Sequence, residues 1–263
     1  MLSNKSYLLN KQYKNSSLLN SRIRLHERFS VNKYGWHRWV FDHFNLPENS
    51  LILELGCGSG KLWAQNIDRI PPAWNIILSD FSAGMLHDAG KNLCNSQNNF
   101  KYMVLDAQYL PFNNKTFHCV IANHMLYHVP DTNRVFSEIS RILMPGGRFY
   151  ASTVGLTHMQ EIDRIVRKVE PGFSHITGYG PDAFVLERGS HMLSKYFSEI
   201  KLHMYDDCLV VTEALPLVDY ILSATTMSSI AGRRNELLDL IEEEIIGSIR
   251  ITKSSGIFET VCY

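Results

Sequence analysis

Five short apolar runs, spaced along the chain by helix-length segments, constrain its fold more than any other feature. They occupy residues 50–55, 75–80, 101–106, 117–123 and 146–153. The runs do not alternate strictly between polar and apolar residues, as expected for parallel strands that helices cover on both faces of a sheet. The repeated strand–helix order therefore predicts an α/β fold with an open, doubly wound parallel sheet.

The segments between and after these runs predict the remaining elements. Helices are expected at 60–70, 82–93, 131–143 and 158–169. In the third of these, Asp131 can cap the first turn, and Val135 and Ile139 share one apolar face. Later in the chain the pattern predicts strands at 196–207, 208–214 and 256–263, and helices at 216–225 and 233–250.

The N-terminal region follows a different pattern, and residues 1–45 are predicted to be helical. Trp36, Val40 and Phe44 fall four residues apart and give one helix face an apolar stripe. The first 40 residues hold eight Lys and Arg side chains and the single acid Glu27. These basic residues form either a solvated helical face or a basic lid over an anionic group.

The change of pattern before the first apolar run suggests a division of the chain. We expect an N-terminal helical lid over residues 1–48 and a second domain over residues 49–263. Within the second domain, the strand–helix rhythm breaks and the turn-rich stretch 170–182 follows. We therefore predict a substrate-side insertion at about 155–195.

Composition limits the partners and the location of the protein. The 263 residues carry 26 Lys and Arg against 26 Asp and Glu, so the chain lacks the overall positive field typical of nucleic-acid-binding proteins. Its five cysteines show no C-x-x-C spacing, which argues against a zinc cage and a disulfide framework. The polar N-terminus is atypical of a signal peptide or membrane anchor. We expect a cytoplasmic protein with no metal, nucleic acid or membrane partner.

The segment LELGCGSGKL, residues 53–62, places three glycines directly after the first apolar run. A Walker A phosphate loop does not fit, because Leu55 stands where its first glycine belongs and Leu62 replaces the hydroxyl that binds Mg²⁺. The dinucleotide pattern G-x-G-x-x-G does not fit either, because Lys61 stands where the third glycine allows close helix–strand contact. The pattern [ED]-x-G-x-G-x-G, in contrast, matches at every position.

The matched positions are Glu54, Gly56, Gly58 and Gly60. Glycines here let the backbone turn tightly and approach a methionine-like moiety, while the Glu54 carboxylate can meet an α-amino group. Asp80 ends the second run, where it can accept hydrogen bonds from two ribose hydroxyls. Asp106 ends the third run and can accept from an adenine amino group. Either acid alone could cap a helix, but their recurrence at consecutive strand ends favours a nucleoside ligand.

With these motifs the sequence resembles the class I S-adenosylmethionine-dependent methyltransferases, in particular the small-molecule branch called type 11 or UbiE-like. The resemblance is strong over residues 50–155. It implies a Rossmann-like, seven-stranded sheet in the order 3-2-1-4-5-7-6, with the last strand antiparallel and formed by residues 256–263. It also implies S-adenosyl-L-methionine as the cofactor and S-adenosyl-L-homocysteine as its product.

The resemblance also implies roles for individual residues. The methionine end of the cofactor is assigned to Glu54, Gly56, Cys57, Gly58 and Gly60. The ribose is assigned to Asp80, the adenine to Phe81, Met85, Asp106 and Ala107, and the neighbourhood of the sulfonium to Asn123. One position departs from the family pattern, since His118 stands where an Asp is usual, and a local change in hydrogen bonding is expected there.

The segment NHMLYHVP follows the fourth apolar run, at the sheet edge where ligands bind in such folds. His124, Tyr127 and His128 are therefore candidate bases or positioning groups, although local packing would also explain Tyr127 and His128. Candidate acceptor-side residues lie in the N-terminal segment and after the fifth run: Tyr13, Arg22, His26, Trp36, His158, Glu161, His175 and Tyr179. For Trp36, its helical spacing favours a place in the core over a contact with the acceptor.

These features predict an enzyme that transfers a methyl group by in-line displacement to a nitrogen or oxygen nucleophile of a small molecule or modified peptide. Two subclasses do not fit: the chain has no PC dipeptide for cytosine-C5 chemistry, and NHML replaces the [ND]-P-P-[YF] motif of amino-methylating DNA enzymes. An NAD-dependent oxidoreductase and a non-catalytic scaffold that retains the cofactor fold are the alternatives. The sequence leaves the acceptor and the oligomeric state open.

Overall fold

The computed structural model describes residues 17–177, 180, 182–224 and 230–263. Its α-helices are α1 (Ser17–Phe29), α2 (Trp36–Asp42), α3 (Lys61–Ala64), α4 (Ala83–Asn92), α5 (Thr132–Ile142), α6 (Gln160–Val169), α7 (Leu186–Leu193), α8 (Ala214–Leu222) and α9 (Arg234–Glu244). Its strands are β1 (Leu51–Leu55), β2 (Asn75–Asp80), β3 (Asn99–Val104), β4 (Phe117–Asn123), β5 (Leu143–Val154), β6 (Ser198–Tyr205), β7 (Cys208–Val211), β8 (Ile249–Thr252) and β9 (Ser255–Val261).

Seven strands form the main sheet, in the order β3-β2-β1-β4-β5-β9-β6. Strands β1 to β5 pair in parallel, and β9 runs antiparallel to both of its neighbours, β5 and β6. Strand β9 thus takes the place of the seventh strand, which confirms the predicted sheet order and the antiparallel last strand. The strands β7 and β8, which lie between β6 and β9 in sequence, pair with each other in a separate antiparallel ribbon.

The predicted helices at 82–93, 131–143 and 158–169 are confirmed as α4, α5 and α6. Asp131 caps α5 as expected, and its side chain accepts a hydrogen bond from the Arg134 backbone N–H at 3.0 Å. The predicted helix at 60–70 is shorter, because α3 ends at Ala64 and a 3₁₀ turn covers residues 67–69.

One expectation about helices was wrong. The predicted helix at 233–250 ends at Glu244, because Gly247 adopts a left-handed φ of 77° and Ile249 starts strand β8. The predicted helical character of the N-terminal region is confirmed over most of its described part, in two helices. Helices α1 and α2 are separated by a turn that ends at Gly35, whose φ is 92°. Residues 1–16 lie outside the described part of the chain.

Helices cover both faces of the main sheet, and adjacent residues of β5 belong to different cores. Phe149 packs with Phe136 and Phe197 in one core, whereas Tyr150 packs with Trp63 in the other. This alternation is the period of two expected for a strand that is buried on both faces. The sheet is therefore the rigid layer that fixes the positions of its strand ends.

A third hydrophobic core lies outside these two layers. It joins α1, α6, α8 and α9 with the ribbon of β7 and β8, and we call these elements the cap. Leu25, Ile162, Leu209, Leu217 and Ile241 contribute to its core, and each is almost fully buried. The predicted division between residues 48 and 49 and the predicted insertion at about 155–195 stay predictions. The core of the cap extends beyond that insertion, because it also contains residues between 209 and 251.

His118, the departure from the family pattern, lies in β4. Its Nδ1 accepts a hydrogen bond from the Leu51 backbone N–H at 3.0 Å, at the first residue of β1. The imidazole therefore ties the starts of two central strands together. Among the described helices, none combines the length and the apolar character needed to cross a membrane.

Helix α7 approaches β9 closely because residue 189 is a glycine. A Cβ atom at Gly189 would lie 2.4 Å from the Phe258 ring, whereas a Cβ at Gly90 in α4 would meet nothing within 4 Å. We expect Gly189→Ala to lower the free energy of unfolding by about 1–3 kcal/mol through overpacking. Gly90→Ala should raise it by about 0.5–1 kcal/mol, because alanine is the better helix former.

Urea unfolding followed by circular dichroism measures both changes. The matched pair separates the steric effect at Gly189 from the general effect of Gly→Ala substitution in a helix. A Gly189→Ala protein as stable as Gly90→Ala would contradict the close packing of α7 on β9.

Candidate functional site

A cavity of about 930 Å³ opens at the carboxyl ends of the central strands. One half is formed by the glycine loop after β1 and by the ends of β2 and β3. The other half is formed by α2, by the segment after β4 and by the cap, which includes α1. Its position at the carboxyl edge of a doubly wound sheet is the usual ligand-binding position in such folds.

The glycine loop requires glycine for a steric reason. Gly56, Gly58 and Gly60 have φ values of 66°, 54° and 73°, in the left-handed region that other residues rarely adopt. A Cβ atom at Gly56 would also lie 2.8 Å from the Cβ of Met125. Gly56 and Gly58 line the cavity, whereas Gly60 caps the start of α3 and is not part of the lining. Cys57 is buried and lines the cavity between them.

Two carboxylates lie beside this loop. Glu54 is buried and accepts a hydrogen bond from Trp63 Nε1 at 2.6 Å. Burial, with a smaller contribution from the nearby charge of Asp80, raises the pKa of Glu54 to about 8, although the hydrogen bond from Trp63 opposes the shift. Asp80 accepts hydrogen bonds from the backbone N–H groups of Gly58 at 3.0 Å and Ser82 at 2.8 Å. Burial raises the pKa of Asp80 as well, although these backbone donors oppose the shift.

The rest of this half holds the predicted adenine contacts. Phe81, Met85, Asp106 and Ala107 all line the cavity, next to the ends of β2 and β3. Asp106 Oδ1 accepts hydrogen bonds from the backbone N–H of Gln108 at 3.0 Å and from its side-chain Nε2 at 3.1 Å. These bonds fix the carboxyl group of Asp106 at the cavity wall.

Asn123, the last residue of β4, lies at the junction of the two halves. Its Oδ1 accepts hydrogen bonds from Trp36 Nε1 at 3.1 Å and from Ser152 Oγ at 2.6 Å. An indole N–H can only donate, so the orientation of the amide is fixed. Trp36 begins α2, forms part of the cavity wall and also packs against the core that contains Trp63 and Tyr150.

The three candidate catalytic residues all line the cavity. The His124 ring lies 4.7 Å from the Trp36 ring, and Tyr127 lies 4.6 Å from His128. Burial lowers the pKa of His124 to about 3, aided by the positive charge of Lys253 among its neighbours. Burial also lowers the pKa of His128 to about 3, aided by Arg22. Both imidazoles are therefore neutral at pH 7.

The predicted acceptor-side residues fall into three groups. Arg22, His26, Trp36 and His158 line the cavity. Glu161 and His175 do not: Glu161 accepts hydrogen bonds from the Thr252 backbone N–H at 2.9 Å and from its Oγ1 at 2.6 Å, and His175 contacts Asp163 at 3.3 Å. Glu161 faces β8 from the first turn of α6, so its role is to join two cap elements. Tyr13 and Tyr179 lie outside the described residues.

Several lining residues escaped prediction. Tyr205 ends β6, Tyr220 lies in α8 and Lys253 follows β8. Lys253 Nζ donates to Asp207 and, at 3.2 Å, to Ser30 Oγ, which ties it to the end of α1. No short sequence motif marks these residues, because the cap brings them together from distant parts of the chain.

Helix α1 is held over the cavity by polar contacts at both halves. Lys61 Nζ, in the glycine-loop half, lies 2.8 Å from Glu27 Oε1. Arg22 donates to the Ser223 carbonyl oxygen in the cap at 3.0 Å. Arg22 lines the cavity, while Arg24 and Arg28 are exposed, as expected for a solvated face. A basic lid over an anionic group stays a prediction. The described residues include no cluster of three or more metal-ligating side chains.

Comparison with known proteins agrees with this geometry. Residues 53–151 match the family described as a methyltransferase domain. A demethylmenaquinone methyltransferase from Lactobacillus johnsonii is 29% identical over 178 residues, which cover 64% of this chain and 70% of that protein. A ubiquinone/menaquinone biosynthesis C-methyltransferase UbiE from Desulfotalea psychrophila is 34% identical over 113 residues, covering 43% of this chain and 45% of its own length. Several UbiE relatives are matched over less than half of their length.

Solved structures share the fold. The phosphoethanolamine N-methyltransferase 2 of Haemonchus contortus, determined with phosphomonomethylethanolamine and S-adenosylhomocysteine, has a TM-score of 0.62 and 17% identity. The alignment covers 99% of this chain and 60% of that one. The family match and the curated relatives confirm the predicted class of enzyme, a methyltransferase, and with it the expected cofactor, S-adenosylmethionine, in place of the oxidoreductase alternative. The solved structures show that the fold is shared.

Three half-buried histidines at the cavity predict a loss of stability in acid. The pKa values of His37, His124 and His128 are lowered to about 4, about 3 and about 3, respectively. In the unfolded chain the pKa of histidine returns to about 6.5. Below pH 6.5 the unfolded state therefore binds protons that the folded state excludes, and stability is lost progressively as the pH falls towards the folded pKa values. We expect the urea midpoint to drop steeply between pH 7 and pH 5.

His124→Asn removes one titrating group, and asparagine tolerates the positive φ of 53° at this position. Below pH 6 the free energy of unfolding of the variant should depend on pH less steeply than that of the wild type. The two slopes should differ by about 1.4 kcal/mol per pH unit, because the variant lacks one group that binds a proton on unfolding. Urea unfolding at a series of pH values measures both slopes. Parallel pH profiles for the two proteins would contradict the lowered pKa of His124.

Proposed function

From the match to a methyltransferase-domain family over residues 53–151 and from the curated methyltransferase relatives, we propose that the chain methylates a small, flat aromatic acceptor that carries hydroxyl groups. One observation carries the proposal: the acceptor half of the cavity is walled by rings and by neutral imidazoles. Trp36, His124 and Tyr127 form one side, and His26 and Tyr220 face them from the cap. Rings of this kind stack well on a flat ligand.

Charge narrows the class of acceptor. Helices α1 and α2 contribute one carboxylate to the cavity lining among their described residues, Glu27, and it is paired with Lys61. A protonated amine would need a carboxylate to replace its hydration, whereas a phenol or an electron-rich ring carbon would not. We therefore favour oxygen or ring-carbon methylation over nitrogen methylation. The C-methyltransferase named among the relatives supports the ring carbon as a methylation site.

The residues of the glycine-loop half fit the cofactor. Gly56 leaves space that a Cβ would fill, and the carboxyl groups of Glu54, Asp80 and Asp106 lie at consecutive strand ends. In our proposal Asp80 holds the ribose hydroxyls, Asp106 with Ala107 borders the adenine, and Glu54 accepts from the amino group. When bound, the cofactor supplies a methyl group on a positively charged sulfur.

The remaining side chains align the acceptor and exclude water. The amide of Asn123 is held in one orientation by Trp36 and Ser152, at the boundary between the two halves. His124 stays neutral, so its imidazole has one nitrogen that can accept a hydrogen bond from an acceptor hydroxyl, and His128 stays neutral beside it. With pKa values of about 3 they position a hydroxyl better than they remove its proton.

Asp80→Asn tests the cofactor assignment. Loss of the negative charge weakens two hydrogen bonds to ribose hydroxyls, and we expect S-adenosylhomocysteine to bind at least tenfold more weakly. Asp239→Asn, at an exposed position in α9, is the matched control and should leave the affinity unchanged. Isothermal titration calorimetry measures the affinity of the wild type and of both variants for S-adenosylhomocysteine. Equal affinity in Asp80→Asn and the control would overturn the assignment.

A second experiment tests the acceptor class. The protein is incubated with S-adenosylmethionine carrying a labelled methyl group and, separately, with 1,4-dihydroxynaphthalene, catechol, tyramine and a lysine-rich peptide. We expect label in the two neutral hydroxylated rings, and mass spectrometry of the products distinguishes a methyl group on carbon from one on oxygen. Label in the peptide, or on the amine nitrogen of tyramine, in place of the neutral rings would overturn the proposal.

A further inference from the structure

The cap end of the cavity contains polar groups that the transfer of a methyl group does not by itself require. His26 lies in α1, His158 between β5 and α6, and Lys253 directly after β8. All three line the same cavity as His124. They are close enough that Lys253 and His124 both lower the pKa values of His26 and His158, in addition to the larger effect of burial.

The protonation state of His158 follows from one hydrogen bond. His158 is only 6% exposed, and its Nδ1 accepts the Ser254 backbone N–H at 3.2 Å. An accepting nitrogen carries no proton, and burial keeps the pKa of this imidazole well below 6.5, so the single proton sits on Nε2. Among the described residues Nε2 has no hydrogen-bond partner. His158 therefore presents a fixed N–H donor at the wall of the cavity.

His26 adds a second polar atom to the same end. Its Nδ1 is buried and has no hydrogen-bond partner among the described residues. The ring lies 5.8 Å from the ring of Tyr220, edge to face, so the contact orients the imidazole without satisfying its nitrogen. A buried polar atom without a partner costs free energy that a ligand can recover.

The carboxylates around this end are already engaged. Asp207 binds Lys253 and Ser30, Asp163 accepts the Ile176 backbone N–H at 2.7 Å, and Glu161 binds Thr252. Each of these three carboxylates therefore has a partner within the protein, and none is an unpaired charge that would repel an oxygen atom of a ligand. The Lys253 side chain, 7% exposed, adds positive charge next to the two imidazoles.

We propose that this end of the cavity is an oxygen-binding subsite, in which His158 Nε2–H donates a hydrogen bond to an oxygen substituent of the methyl acceptor. The inference rests on the proposed function, since it assigns the acceptor to this half of the cavity. The oxygen is a carbonyl, phenolate or carboxylate oxygen, all of which accept hydrogen bonds through lone pairs. His158 is then a specificity-determining residue for acceptors that carry such an oxygen.

Two substitutions separate the donor of His158 from its structural hydrogen bond. His158→Asn places an oxygen near the position of Nδ1, where it can still accept the Ser254 N–H, but lacks a donor at Nε2. His158→Gln restores a donor near Nε2. The probes are 1-tetralone, which carries one carbonyl oxygen, and tetralin, which lacks it, titrated into the full-length protein saturated with S-adenosylhomocysteine.

In the wild-type protein we expect 1-tetralone to bind about tenfold more tightly than tetralin, as one buried hydrogen bond would provide. His158→Asn should bind the two probes equally, and His158→Gln should retain most of the preference. Equal binding of the two probes to the wild type, or an unchanged preference in His158→Asn, would overturn the subsite. In the free protein, ¹⁵N NMR should place the His158 proton on Nε2, and a proton on Nδ1 would also overturn it.

The affinity for S-adenosylhomocysteine distinguishes this test from that of the proposed function. We expect it to be the same in the wild type and both His158 variants, because His158 lies in the acceptor half. If the wild type binds S-adenosylhomocysteine but shows no preference between the probes, the subsite fails and the cofactor assignment stands. If the wild type does not bind S-adenosylhomocysteine, the proposed function fails.

Discussion

The candidate site depends on one atom, the side-chain oxygen of Asn123. It accepts hydrogen bonds from Trp36 and Ser152 and so joins α2, β4 and β5 at the carboxyl edge of the sheet. The hydroxyl of Ser152 also accepts the His124 backbone N–H at 2.9 Å, which supports the left-handed turn after β4. Loss of this acceptor would leave an indole N–H and a hydroxyl unsatisfied, at a cost of about 1–3 kcal/mol each.

The two halves of the cavity have different structural origins. The glycine-loop half is built from neighbouring strand ends, where Gly58 binds Asp80 and Gly56 packs on Met125. Its geometry follows from a continuous parallel sheet. The cap half gathers Arg22, His158 and Tyr220 from segments far apart in sequence. This construction allows the acceptor half to vary while the sheet remains unchanged, as expected where one fold serves many substrates.

The same difference explains how much the sequence could predict. The parallel sheet and the glycine loop followed from apolar runs and from a motif with Glu54 at its start, both of which are local signals. The strand order followed from the family resemblance that these motifs carry. Ile249 was misassigned because its four-residue spacing continues the pattern of α9, although Gly247 turns the chain into a strand. Glu161 and Lys253 show the limit more clearly. Whether such a side chain faces a cavity or a neighbouring strand depends on tertiary packing that no local pattern records.

Lys61 follows the last glycine of the loop, and sequence alone suggested only the beginning of an ordinary helix. In the structure its ammonium group pairs with Glu27 of α1, at a side-chain exposure of 27% for the lysine and 50% for the glutamate. An ion pair therefore joins the end of the glycine loop, which we propose to border the cofactor, to helix α1, which we propose to border the acceptor. A change in the tilt of α1 that suits a different acceptor would move Glu27 away from Lys61, so an altered lid would also change the charge beside the start of α3.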